Sequence, residues 1–295
     1  HAPGPALFSP PSMPVQPHPW RDRWDWPRTN QGFDSAQHPA TAGRPAAFRP
    51  PPVKTPSPPS ADSNWIPLEL PPQPTDTSCG PTCLHGLYRF YGRNMPLDRL
   101  LREIDPVPGG GTLGVLLGNH ALEHGFQVRM VTWNLRVFDP TWFPSGPAEL
   151  AARLRASLPR RHKPKLRQAI QAYIRFCELG GEISMDVLNG HLLRRHLRRN
   201  RPILAGLSST FLYRDSRADP VTNADDALGG EAEGHFVLLT GYDREARTVQ
   251  ITDPYTRNPI ANQSRYAVPM DRLINAILLG VLTYDANLLV ITPRP

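Results

Sequence analysis

A cysteine, a histidine, an aspartate and a glutamine stand in this chain in the order and setting that thiol chemistry needs. Gln73 lies six positions before Cys79 in Gln73-Pro-Thr-Asp-Thr-Ser-Cys79-Gly80-Pro81-Thr82-Cys83-Leu84. His235 opens Gly234-His235-Phe-Val-Leu-Leu-Thr-Gly241-Tyr242-Asp243, and Asp253-Pro254 follows 18 residues after that histidine. A cysteine acts as a nucleophile through its thiolate. It therefore needs a base, the base needs an orienting partner, and the oxyanion it creates needs hydrogen-bond donors. Cys79 is the expected nucleophile and His235 the base that later returns the proton to a leaving amine. Asp253 is expected to hold the far nitrogen of the imidazole. Gln73 is expected to offer its side-chain amide to the oxyanion beside the Cys79 backbone N–H.

These residues need elements to position them. Cys79 falls where a loop runs into a helix expected over Cys79–Tyr91, with Cys83, Leu84, Leu87, Tyr88 and Tyr91 as its apolar face. At such a helix start, unpaired N–H groups and the helix dipole favour thiolate over thiol. A short helix is expected from Pro96 and a third from Thr112 to His124. Phe126–Val131 alternates like a strand, residues 147–200 look helical and strongly basic, and four later stretches read as strands: Ile203–Leu207, His235–Tyr242, Thr248–Thr252 and Leu288–Ile291. A turn at Asp243–Arg247 would fold two of these strands back on each other and bring Asp253 toward His235. Helices first and antiparallel strands later give an α+β fold.

The chain has 295 residues and 36 prolines, and twenty of those prolines fall in residues 1–74. Residues 1–64 therefore read as a Pro-rich, disordered or loosely packed extension, with the folded domain in 65–295. Trp20, Trp24 and Trp26 make that extension unusual. They are expected to pack against the following domain or to serve as a docking motif for a partner. Three cysteines cannot close a disulfide framework, which points to a reducing, cytoplasmic setting. The sequence opens on His1 rather than Met, so removal of a leader is one expectation, and no stretch has the apolar core of a secretory signal. The longest apolar run, Ala276–Tyr284, is too short to span a bilayer, so no membrane association is expected.

The three blocks resemble the C39-like branch of papain-like cysteine peptidases, a group that includes the peptidase domains of bacteriocin-processing transporters. The resemblance rests on Gln-x5-Cys-Gly-x-x-Cys-Leu, Gly-His-Phe-Val-Leu-Leu-x-Gly-Tyr-Asp and Val-x-Ile-x-Asp-Pro, and spans roughly 65–132 and 202–260. It implies a papain-like fold with an N-terminal helical part packed on an antiparallel sheet. It also implies that Cys79 rather than Cys83 is the nucleophile, with Gln73, His235 and Asp253 in the roles above, a peptide or protein substrate, and neither cofactor nor metal. The family carries an acidic residue just before the nucleophile, where this chain has Ser78. The basic stretch 133–200 reads as an insertion into the compact family pattern.

Three other constellations offer competing chemistry. His120-Ala-Leu-Glu123-His124 matches an H-x-x-E-H zinc-peptidase pattern, with both histidines on one helical face and no identifiable third ligand. A five-residue pattern arises readily by chance, and a helix end with polar residues facing solvent is the expectation there. The basic run Arg160–Lys165 and Arg194, Arg195, Arg198 and Arg199 could meet nucleic acid phosphate, but few aromatics accompany them. A solvated helix face is the expectation there, and no nucleic acid partner. The acidic segment Asp215–Glu233 runs directly into His235. It reads either as a lid favouring a basic or amine-bearing substrate or as a solvated connection. Gly109–Gly111 lacks the Lys-Ser/Thr ending of a phosphate loop, so it offers no nucleotide site.

Overall fold

A computed structural model describes residues 63–107, 111–143 and 145–294. The tryptophans at 20, 24 and 26 and the glycines at 109 and 110 lie outside the described residues.

β5 (Gly234–Asp243) organises the fold. It is buried from His235 to Tyr242, and a strand covered on both faces needs an unbroken apolar run rather than alternation. β4 (Ile203–Ser208) lies antiparallel on one side of it and β6 (Thr248–Thr252) on the other. β7 (Arg265–Pro269) pairs outside β6, while β8 (Asn287–Pro293), β2 (Phe126–Thr132) and β3 (Glu182–Ser184) extend the sheet beyond β4. β1 (Ser63–Trp65) pairs with Gly241–Asp243, filling the flank of β5 that β4 leaves uncovered. It straddles the position where the domain was expected to begin. Every pairing among these strands is antiparallel except β2–β3.

The helices pack on this sheet as an α+β arrangement. α1 (Cys79–Phe90) turns Cys83, Leu84, Leu87 and Tyr88 inward, all fully buried. α2 (Leu97–Glu103) and α3 (Gly114–Glu123) follow and pack against α1. The first turn of α3 has no side-chain cap from its own sequence. Asp285, far along the chain, supplies one: its Oδ1 accepts from the Gly114 N–H at 2.8 Å. Asp285 is almost fully buried, and burial raises its pKa to about 7 despite that bond.

The stretch 133–200 contains α4 (Pro147–Ser157), α5 (Pro164–Glu178) and α6 (Gly190–Leu197). Between α5 and α6 comes β3, which joins the sheet edge. α5 buries Ile170, Tyr173 and Phe176 and packs on α4 and α3, so this stretch shares the main core. Among its exposed arginines, Arg153 pairs with Glu149 within α4, Arg155 with Glu178 of α5, and Arg175 with Glu123 of α3.

β1, β3, β7, α7 (Ser209–Tyr213) and α8 (Met270–Leu279) extend the layout expected from the sequence. They are short or, in α8, continue an apolar run whose period was not read. No helix of the described residues is long and apolar enough to cross a membrane.

Candidate active site

Cys79 is the first residue of α1 and is 7% exposed. At that position the amides of Cys79 and Gly80 have no intrahelical acceptor. The preceding loop is fixed by Ser78, whose Oγ donates to the Thr75 carbonyl at 2.7 Å and accepts from the Thr75 N–H at 2.9 Å. Gly80 lets the helix start press on the sheet. A Cβ there would lie 2.6 Å from the Thr112 methyl and 3.2 Å from the Phe236 ring. One turn on, Cys83 donates to the Phe236 carbonyl at 3.3 Å, and burial pushes its thiol well above the ordinary range. Cys83 thus pins α1 to β5 immediately beside His235.

His235 is buried at the start of β5, and its Nε2 lies 2.8 Å from Asp253 Oδ1. Register explains the meeting. β5 and β6 pair Gly241 with Gln250 but Leu239 with Ile251, so Thr240 is bulged out of the ladder. The bulge shifts the pairing by one residue beyond that point. Asp253 then comes one step past the Leu238–Thr252 pair, opposite Val237 and on the same face as His235. Without the extra residue Asp253 would stand on the other face.

Asp253 is fully buried and its carboxylate accepts four hydrogen bonds. Oδ1 takes the His235 bond and the Tyr255 N–H at 2.8 Å; Oδ2 takes the hydroxyls of Tyr213 at 2.7 Å and Tyr266 at 2.6 Å. Burial raises the pKa of this carboxyl, but the charge of His235 and these donors overcome it and hold it below its usual range. Burial and then the surrounding charges push both tyrosine hydroxyls well up, so they remain donors.

The imidazole responds to both neighbours. Burial alone would lower the His235 pKa, yet Asp253 and Cys79, through charge and hydrogen bonding, raise it to about 10. Cys79, His235 and Asp253 are therefore coupled in one chain. A buried imidazole held as a cation between a thiol and a carboxylate can stabilise a thiolate and later give up a proton.

Gln73 reaches the same place by its backbone, donating its N–H to the Pro254 carbonyl at 2.9 Å. Its amide Nε2 donates to the Thr75 carbonyl at 3.0 Å, which leaves the second N–H of that amide available. A cleft of about 340 Å³ opens here, lined by Gln73, His235, Asp76, Asp215, Glu233 and Tyr255 among others. The acidic segment divides in two. Asp219 and Asp226 accept backbone N–H groups of their own turns, whereas Asp215 and Glu233 face the cleft.

Tyr213 and Tyr266 escaped the sequence reading. Tyr266 lies in a short alternating strand that could have been found by period; nothing around Tyr213 marks it. The H-x-x-E-H pattern needs revision. Its Glu123 points to Arg175 at 3.2 Å, and the carboxylate that meets both histidines is Glu103.

The model of the Peptidase_C39 like family matches residues 167–275. The chain is thus similar to C39-like cysteine peptidases over a segment containing His235 and Asp253, while Cys79 and Gln73 precede it. Among solved structures, the double glycine motif protease of an AMS/PCAT transporter, in complex with its leader peptide, is 12% identical, with 78% of this chain and 95% of that chain covered and a TM-score of 0.37. The peptidase domain of Streptococcus ComA, a bifunctional ABC transporter of a quorum-sensing pathway, is 12% identical, covering 77% and 98% with a TM-score of 0.38. Xylellain, a cysteine protease from Xylella fastidiosa, is 17% identical, covering 79% and 87% with a TM-score of 0.39. Comparison with curated protein sequences gives no match.

Proposed function

We propose that this protein is a cysteine peptidase that hydrolyses a peptide or related amide through a Cys79 thioester. The observation that supports it most is the buried His235, 2.8 Å from an Asp253 carboxylate that accepts four hydrogen bonds and coupled on its other side to Cys79. In the proposed reaction the Cys79 thiolate attacks the scissile carbonyl and forms the C–S bond. The carbonyl electrons move onto oxygen, and the Cys79 N–H and the second N–H of the Gln73 amide donate hydrogen bonds to the resulting oxyanion. As the C–N bond breaks, the His235 imidazolium gives its proton to the departing amine. Water then attacks the thioester with His235 as base, releasing the acid and restoring the thiolate–imidazolium pair.

The cleft suggests the substrate class. Asp76, Asp215 and Glu233 beside His235 favour a peptide with a basic or amine-bearing group near the scissile bond. Replacing Asp215 and Glu233 with their amides is expected to lower kcat/KM several-fold for lysine- or arginine-containing peptides only. An equal loss on neutral peptides would remove this assignment. The same acids could instead hold an acceptor amine, which would turn hydrolysis into acyl transfer; product analysis with added amines separates the two.

The direct test is the pH dependence of iodoacetamide labelling at Cys79. An activated pair labels well below the ordinary thiol pKa of about 8.5, and His235→Ala abolishes that low-pH reaction. Labelling that follows an ordinary thiol in both proteins would instead favour a non-catalytic, peptide-binding scaffold.

A further inference from the structure

Nine positions along α1 from Cys79, about 13 Å at the rise of an α-helix, the ring of Tyr88 lies against a second group of ionisable side chains. Glu103, the last residue of α2, meets His120 and His124 of α3, and their three ligand-capable atoms lie within 4.8 Å of one another. We propose that Glu103 Oε2, His120 Nε2 and His124 Nε2 bind a divalent transition-metal cation of the Zn²⁺ type and clamp α2 to α3.

The spacing suits such an ion. Ligands about 2.0–2.1 Å from a tetrahedral zinc stand roughly 3.3 Å apart. Here Glu103 Oε2 lies 2.9 Å from His120 Nε2 and 3.5 Å from His124 Nε2. Both distances lie within a few tenths of an ångström of that spacing.

Ring orientation supplies the independent argument. His124 Nδ1 lies 2.8 Å from the His120 carbonyl, which can only accept, so that nitrogen carries a hydrogen and Nε2 is the ring atom turned toward Glu103. The two imidazoles stack at 4.1 Å and 15°, with both Nε2 atoms directed to the same carboxylate oxygen.

The outer partners are those a metal site requires. Tyr88 Oη lies 2.8 Å from His120 Nδ1, the His120 carbonyl fixes His124, and Arg99 Nε donates to Glu103 Oε1 at 2.6 Å; Oε2, now in hydrogen-bond contact with His120 Nε2 at 2.9 Å, would exchange that contact for the ion. Imidazole and carboxylate together suit zinc and its neighbours. Glu123 turns away to Arg175 and so does not supply the base of the zinc-peptidase pattern. The role proposed for the ion is to tie α2 to α3.

The test is calorimetric titration of Zn²⁺ into the chelator-treated full chain carrying Cys79→Ser, which removes the thiol from the other zinc-capable pair. The expected result is one equivalent bound with a rise in Tm. Glu103→Gln and His124→Ala should each weaken that event more than 10-fold, and Tyr88→Phe should weaken it about 10–100-fold. Glu103→Gln keeps its shape on an accessible helix end, so it decides the matter should His124→Ala fold poorly. No binding, or binding unchanged in Glu103→Gln, would overturn the proposal.

Discussion

Two clusters among the described residues join histidine to carboxylate, and they differ in what they leave variable. Asp253 is fully buried and takes four donors, so both of its oxygens are committed. What remains variable there is the proton on His235, on the side that meets Cys79. Glu103 is one-third exposed at a helix end; Arg99 holds one of its oxygens, and the other faces two imidazole nitrogens. The first carboxylate positions a proton, whereas the second belongs to the cluster proposed as a cation site. The distinction rests on what each free oxygen or nitrogen meets, and each half can be broken separately.

The largest expected effect is at His235. Converting it to Ala removes the group that serves as base and thiolate counter-ion in the proposed reaction. Low-pH alkylation of Cys79 and any peptidase activity should fall roughly 10²–10⁴-fold. The same chemistry sets a pH signature. The His235 pKa is raised from its free value of about 6.5 to about 10. The pair's contribution to stability is therefore complete below about 6.5 and is lost as pH rises toward 10. Chemical denaturation between pH 6 and 10 should show that decline in the wild type, and a much smaller one in His235→Ala. Equal slopes would mean the imidazole is not held as a cation.

Next comes Asp253→Asn. It keeps one acceptor oxygen but loses the charge that raises His235, and it sets an amide donor against the hydroxyls of Tyr213 and Tyr266. Charged hydrogen bonds of this kind are worth about 1.5–3 kcal/mol, so a loss of roughly 10–100-fold in labelling rate is expected at pH 6. Tyr213→Phe and Tyr266→Phe each delete one donor and leave the charge. Each should cost less than Asp253→Asn and lower the upper pH limit of the imidazolium. A fall in stability with no movement of that limit would make the tyrosines merely structural.

The sequence exposed the chemistry of the first cluster more fully than its geometry. Cys79, His235 and Asp253 sit in blocks whose local patterns, a helix start and two strands, can be read directly. What brings Asp253 to the face of His235 is one bulged residue, Thr240. Gly241 beside it is the kind of strand glycine that marks such a place, but spacing alone does not say which strand absorbs the extra residue. Tyr213 and Tyr266 reach Asp253 from elements separated from it by 40 and 13 residues, and nothing local demands either. The second cluster was half visible. Two histidines four apart share a helix face by rule, whereas Glu103 comes from another helix and only packing supplies it. The capping of α3 by Asp285 has the same origin. Local rules reveal a bare helix start, and tertiary structure decides who covers it.

Asp285 gives the smallest effect, and it extends the comparison to a carboxylate with no histidine at all. Its few partners, the Gly114 N–H and the Asn287 amide, do not offset burial, and its pKa rises to about 7. For an acid the sign is opposite to that of His235. Between its free value of about 3.8 and about 7 the folded protein holds a proton that the unfolded chain has released, so stability falls as pH rises through that window. Asp285→Asn keeps an oxygen for Gly114 and cannot ionise. It should therefore flatten the fall and leave the variant more stable than the wild type at pH 8 by at least about 1 kcal/mol, roughly 2–4 °C in Tm. Cys79 labelling should not change. A variant less stable than the wild type at pH 8 would mean that the charge on Asp285, facing the start of α3, is worth more than its burial costs.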